Sequence, residues 1–307
     1  MRICQSDAVR NRRVLVTGSS RGIGRAIAER LARDGWSVAL HYAENRAEAE
    51  RVVASIGPRS QGLYQADLAN PAEATRLFQA ALADGPIHAL VNNAGVYRQM
   101  SFADAGDGEF EATLHKTFAV NFESPMRLCR AAVKAFAATG GGRILNVASS
   151  AHANGVVELD DLEQAKQYDM PGHPLKGWQA YCNTKLMNVL FTYELARRLE
   201  GTDVTVNCLH PGQIATELIR TSPTIFKLFY RMIMPGPERG ARTSIYLASS
   251  SEVQTVTGQY FDHNQKAVPS SPASHDEAVA QRLWLASEQY TKLSAPSGNQ
   301  RPVLASV

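Results

Sequence analysis

From Arg13 to Asp262, short apolar runs alternate with longer amphipathic stretches, and this alternation narrows the fold more than any other feature of the chain. Residues 14–17, 37–42, 62–66, 88–92, 143–147, 204–208 and 259–261 read as seven strands. The segments between the first of them read as helices: 22–33 stopped by Gly35, 43–56 stopped by Gly57, and 71–82 opened by Pro71. Each is long enough to cross back over a sheet, so the strands are expected to lie parallel with helices on both faces. No internal repeat, low-complexity run or linker divides the chain. The expectation is therefore one domain over residues 13–263, with an N-terminal arm at 1–12 and a C-terminal extension at 264–307.

Composition removes several classes of function. A formal net charge of +3, from 32 Lys+Arg against 29 Asp+Glu, is too small for a dedicated nucleic-acid binder. The four cysteines (Cys4, Cys129, Cys182, Cys208) form no CxxC pair and no cluster at metal-ligand spacing, which fits a reducing, cytoplasmic setting and no metal. No apolar stretch has the length of a membrane span, and residues 1–13 lack the apolar core of a signal peptide, so no membrane anchor is expected. Residues 150–177, 212–237 and 266–307 depart from the alternation. The first two follow strand C-termini, where open α/β sheets bind ligands.

Between the first strand and the first helix runs Thr17-Gly18-Ser19-Ser20-Arg21-Gly22-Ile23-Gly24. Glycines there permit a tight turn and let backbone N–H groups approach a pyrophosphate at a helix N-terminus. The position predicts dinucleotide binding through Gly18, Ser20, Arg21, Gly22, Ile23 and Gly24. The same residues also fit a GxSxG nucleophile elbow, with Ser20 as nucleophile and Asp203 and His210 as partners, which would make the chain an α/β-hydrolase. The second strand ends His41-Tyr42 without an acid, and Arg21 places a cation beside the phosphates, which favours NADP(H) over NAD. Glu44, 20 residues beyond Gly24, would take the NAD role if it turned back; otherwise it is an ordinary first-turn helix glutamate.

Tyr181 and Lys185 stand four apart near the start of a helical stretch at 178–199, so their side chains share a face. A cation at about 4 Å in an effective dielectric near 20 would favour the phenolate by up to about 4 kcal/mol, or roughly three pK units. Together with Asn92-Asn93-Ala94-Gly95, Val120-Asn121, Asn146-Val147-Ala148-Ser149 and His210-Pro211-Gly212, the order and spacing resemble the short-chain dehydrogenase/reductase family over residues 13–262. The resemblance implies a Rossmann-type doubly wound α/β fold, a single domain with an insert before Tyr181 and a C-terminal tail. It makes Tyr181 the acid/base, Lys185 the residue that lowers its pKa and holds the nicotinamide ribose, Ser149 the donor to the substrate oxygen, and Asn121 the holder of a relay water. The other reading of Asn121 is an asparagine that satisfies backbone groups around it. Tyr42, Asp67, Leu68, Asn93, Ala94, Gly95, Pro211, Gly212, Ile214 and Thr216 would line the cofactor; for Asp67, plain strand-end capping is the other reading.

Leu159-Asp160-Asp161-Leu162, the Ala180 to Leu186 run, Leu190 to Leu195 and Leu209-His210-Pro211-Gly212, with Tyr181 standing 32 residues after Ser149, resemble the retinol dehydrogenase and WW-domain-containing oxidoreductase branch. The implied activity is NADP(H)-dependent hydride transfer on a small alcohol, aldehyde or ketone. The apolar residues from Leu218 to Met234 would form a lid over a hydrophobic substrate, or a core-packed amphipathic helix. Stripes at Met187, Phe191, Leu195, Leu199 and at Leu186, Leu190, Tyr193 suggest a homo-oligomer, or burial within the chain. A non-catalytic NADP(H)-binding sensor or scaffold on the same fold is the other reading.

Overall fold

The computed structural model describes residues 12–97, 106–163, 166, 177–212 and 236–290. Seven strands form one sheet: β1 Arg13–Val16, β2 Ser37–Tyr42, β3 Ser60–Gln65, β4 Ala89–Asn92, β5 Gly142–Val147, β6 Val204–Leu209 and β7 Tyr260–Phe261. Their order is β3-β2-β1-β4-β5-β6-β7, and every neighbouring pair is parallel. The helices are α1 Gly22–Arg33, α2 Arg46–Ile56, α3 Pro71–Ala83, α4 Asp107–Phe118, α5 Ser124–Thr139, α6 Trp178–Arg198, α7 Pro237–Ser249 and α8 Glu277–Tyr290. This is the expected doubly wound Rossmann-type fold in a single domain.

The continuous apolar strands are explained by burial on both faces. Leu15, Ala39, Leu90, Ile144 and Val206 enter one core, beneath α3, α5, α6 and α8. Their neighbours Val14, Val16, Val38, Leu40, Val91, Leu145 and Leu209 enter the other, with residues of α1 and α7. Helix starts follow local capping. Asn70 accepts from Ala72 N ahead of Pro71, and Asn45 accepts from Glu48 N, so α2 begins at Arg46 rather than at residue 43.

Helix α7 lies outside the helical stretches expected above, and so do α4 and α5. The last two are joined by a π-helical segment, Ala119–Glu123, and Pro125 in the first turn of α5 gives the stretch the look of a break. Pro125 has no N–H to return to the carbonyl of Asn121, four residues earlier, and that carbonyl instead accepts from Asn188 Nδ2 at 3.0 Å.

Beyond β7 the chain folds back. Val268 N donates to Tyr260 O, and α8 lies along α6 with the Trp284 ring stacked on Phe191 at 5.4 Å and the Arg198 guanidinium 4.4 Å from the same indole. Met187, Phe191, Leu195 and Leu199 share a core cluster with Ala280, Leu283 and Trp284, which accounts for that apolar stripe within one chain. Among the described residues no helix is long and apolar enough to cross a membrane.

Replacing Trp284 by alanine removes this stacked indole from a closed core. Trp284→Ala should lower the unfolding free energy by about 3–5 kcal/mol, read as a fall in the urea midpoint at unchanged m-value.

Candidate active site

A doubly wound parallel sheet leaves a crevice at the C-terminal strand ends where the chain reverses direction, here between β1 and β4. The loops on either side are tied together by one side chain. The buried Thr17 hydroxyl donates to Val91 O and accepts from both Asn93 N and Ala94 N at 3.0 Å. Asn93 Nδ2 returns to Thr17 O at 2.9 Å and Gly18 O at 3.3 Å.

Glycines in the turn have separate reasons to be there. A Cβ on Gly24 would meet Gly18 O at 2.2 Å, so this position allows α1 to approach the turn. Gly18 and Gly22 have φ of +64° and +55°, and a Cβ on Gly22 would find nothing within 4 Å, so open space lies over it. Helix α1 starts at this point without a side-chain cap and without an acid in its first turn. Such an N-terminus favours an anion, so the turn suits a dinucleotide pyrophosphate. Ser20 and Ile23 are half-buried beside it and Arg21 is exposed.

The nucleophile-elbow reading fails on topology. Asp203 precedes β6 and His210 follows it, so the whole strand separates them by about 20 Å. They lie at opposite ends of the sheet and cannot form a triad with Ser20.

At the β2 and β3 ends, Tyr42 is buried with its hydroxyl 3.5 Å from Gln65 Oε1. Leu68 is buried, while Asp67 is exposed and accepts from Ala69 N at 3.0 Å, the capping role foreseen as its plainer reading. Glu44 is not a helix residue. It lies ahead of the Asn45 cap, 88% exposed, with Lys116 Nζ at 3.9 Å.

Across the crevice, Tyr181 and Lys185 are buried on α6 and Ser149 is half-buried beyond β5. The Ser149 hydroxyl is hydrogen-bonded to the Tyr181 phenol and accepts from Ala151 N at 3.2 Å. Lys185 Nζ donates to Val147 O at 3.1 Å and stands 5.5 Å from the Tyr181 ring centre. A Cβ on Gly95 would lie 3.6 Å from Lys185 Nζ and 3.5 Å from Asn121 Oδ1, which puts the β4 loop against the same site. Asn121 Oδ1 accepts from Val96 N, and its Nδ2 donates to Val96 O and Thr184 Oγ1. Both ends of the amide thus bind the surrounding chain, and Oδ1 keeps a second lone pair.

The electrostatics differ from the expected lowering of Tyr181 by Lys185. Burial pushes the phenol up to about 12, with the Ser149 hydrogen bond pulling the other way. Burial also brings the Lys185 ammonium down to about 8. For the ammonium burial is the cause; its hydrogen bond goes to the Val147 carbonyl, and the Tyr181 ring centre is 5.5 Å away.

Three neighbours escaped the sequence reading. Tyr97 meets Tyr181 edge-on at 5.6 Å and Trp178 stacks on it at 5.5 Å, forming an aromatic wall. His152 donates from Nδ1 to Ser149 O at 2.7 Å, accepts from Ser271 N at its other nitrogen, and packs on Tyr260 at 4.8 Å. It ties the segment after β7 to the Ser149 loop. Its signal was only its place three residues after Ser149. Pro211 and Gly212 are half-buried after β6, with Gly212 N donating to His210 Nδ1. Ile214, Thr216 and the expected lid at 218–234 lie outside the described residues.

Comparison with known proteins agrees with this geometry. Residues 12–160 match the family model described as short chain dehydrogenase. The chain is 34% identical to human retinol dehydrogenase 13, over 98% of this chain and 91% of that protein. It is 36% identical to human retinol dehydrogenase 14, over 90% and 84% of the two chains. The crystal structure of a short chain dehydrogenase from Burkholderia cenocepacia in complex with NADP superposes with a TM-score of 0.66 at 28% identity, covering 83% of this chain and 96% of that one.

Thr17→Val keeps the shape of the side chain but strips two backbone N–H groups of their acceptor. The loss should be about 2–4 kcal/mol of unfolding free energy, measured by urea denaturation, while Thr17→Ser should retain most of the stability.

Proposed function

Because the chain belongs to the short-chain dehydrogenase/reductase family, we propose that it is an NADP(H)-dependent oxidoreductase acting between an alcohol and a carbonyl on a hydrophobic small molecule. The observation that carries this reading is the joining of Ser149, Tyr181 and Lys185 at the strand ends, beside the open turn at Gly22. When bound, the nicotinamide supplies or receives the hydride.

The chain's own residues divide the remaining work. In reduction, Ser149 donates a hydrogen bond to the substrate oxygen, and Tyr181, a neutral phenol throughout the physiological range, gives it a proton. Lys185 holds positive charge next to the ring and the nicotinamide ribose. Asn121 acts as a positioning residue, fixing the β4 loop against α6 through Val96 and Thr184. Gly18, Ser20 and Gly22 to Gly24 would hold the pyrophosphate, Asp67 and Leu68 the adenine, and Asn93 to Gly95 with Pro211 and Gly212 the nicotinamide half. Exposed Arg21, an acid-free end to β2 and Glu44 standing beside Lys116 support NADP(H) over NAD. The aromatic wall of Tyr97 and Trp178 supports an apolar substrate.

A screen of NADPH oxidation over aldehydes and ketones should find turnover that favours aromatic or long-chain carbonyls; activity confined to small polar carbonyls would count against the apolar site. Tyr181→Phe should cut kcat by about 10²–10⁴ while NADP+ binding, measured by calorimetry, persists; retained turnover would remove Tyr181 from the mechanism. The kcat/KM of reduction should hold through neutral pH and decline as pH rises through about 8, where Lys185 gives up its proton.

A further inference from the structure

His41, the penultimate residue of β2, is 2% exposed and lies behind the phosphate turn. Its main chain is tied to Ser19 on both sides: His41 N donates to Ser19 Oγ at 2.9 Å, and His41 O accepts from Ser19 N at 2.9 Å. The ring goes further. Nδ1 lies 2.9 Å from Gly18 N, and Nε2 lies 3.0 Å from Ala66 O.

A backbone N–H can only donate and a carbonyl can only accept, so these partners fix the protonation state. Nδ1 must be a lone pair and Nε2 must carry the hydrogen. The ring is a strut between Gly18, which opens the turn, and the end of β3, where Asp67 and Leu68 follow Ala66. A second proton on Nδ1 would set donor against donor at Gly18 and break the strut.

We propose that His41 is a positioning residue for the dinucleotide: its neutral ring holds the phosphate turn at a fixed distance from the β3 end, and affinity falls with acid as the ring gains a second proton. The proposal rests on the dinucleotide reading above and adds a residue that lies behind the turn.

The surrounding charges allow such a switch. Burial favours the neutral ring, while the Ala66 carbonyl and the charge of Asp67, just after β3, oppose that effect. Tyr64 pairs with His41 in register on β3, with its hydroxyl held by Arg13 and Asp84. From α3, Glu73 accepts from Asp67 N, and Arg21 on the turn is exposed.

The test is calorimetric binding of NADP+ to the full chain between about pH 5 and pH 7.5, for wild type and His41→Asn. Asparagine can offer an acceptor to Gly18 N but does not titrate in this range. The ligand's own 2′-phosphate titrates equally in both titrations and cancels in their ratio. The wild-type to variant affinity ratio should fall about tenfold from the neutral to the acid end, and a ratio constant with pH overturns the proposal. Failure of wild type to bind NADP+ at any pH overturns the dinucleotide reading instead.

Should the variant not fold, the histidine ring signals of wild type can be followed by NMR. By linkage, saturating NADP+ should move the pH at which His41 gains its second proton down by about one unit, and an unmoved titration overturns the proposal.

Discussion

A chain of buried side-chain hydrogen bonds holds the C-terminal end of this sheet together. Asn92 Nδ2 donates to Asn146 Oδ1, Asn146 Nδ2 to Thr192 Oγ1, and Thr192 Oγ1 to Asn188 O. Asn188 Nδ2 donates to the Asn121 carbonyl, Asn121 Nδ2 to Thr184 Oγ1, and Thr184 Oγ1 to Tyr181 O. The path runs from β4 through β5 and α6 to the π-helical segment and ends at the residue that bears the phenol. An apolar core would tolerate small slips of α6 along the sheet. This ladder does not, because each slip would strand a buried donor or acceptor at a cost of about 1–3 kcal/mol.

The parts of the fold legible in the sequence were those with a local signature. Apolar runs bounded by glycine, proline and asparagine placed all seven strands to within about two residues, and the turn from Thr17 to Gly24 placed the crevice. Elements without such a signature were missed. Helices α4 and α5 are interrupted by a π-helical segment and carry Pro125, so no single helical period runs through them. Residues 266–307 do read as Ser/Pro-rich around a short helical piece, but the packing of that piece, α8, on Phe191 and Arg198 is a tertiary contact that no local window reveals.

Residue type and order suggested the members of the site, but not how they meet. Ser149 and Tyr181 are far apart in sequence, and only the parallel pairing of β5 with β6 and the packing of α6 bring their hydroxyls together. The nucleophile-elbow reading fell on orientation, because Asp203 and His210 lie at opposite strand ends. His41 and His152 gave no motif at all. Their roles exist only because backbone donors and acceptors from distant segments converge on each ring.

The same burial that makes the site selective also sets its chemical bias. A phenol moved from 10 to about 12 costs on the order of 3 kcal/mol to ionise beyond its ordinary value. At 5.5 Å and an effective dielectric of 20, a charged lysine would repay about 3 kcal/mol, and Nζ stands at that distance from the ring centre with the Val147 carbonyl as its hydrogen-bond partner. The two terms are therefore close in size and opposed, and geometry decides between them. Burial thus keeps the Tyr181 phenol protonated at neutral pH, the form that the proposed carbonyl reduction would use. The reverse of the proposed reaction, alcohol oxidation, would use the phenolate and so would call for alkaline pH or a further positive charge near the hydroxyl.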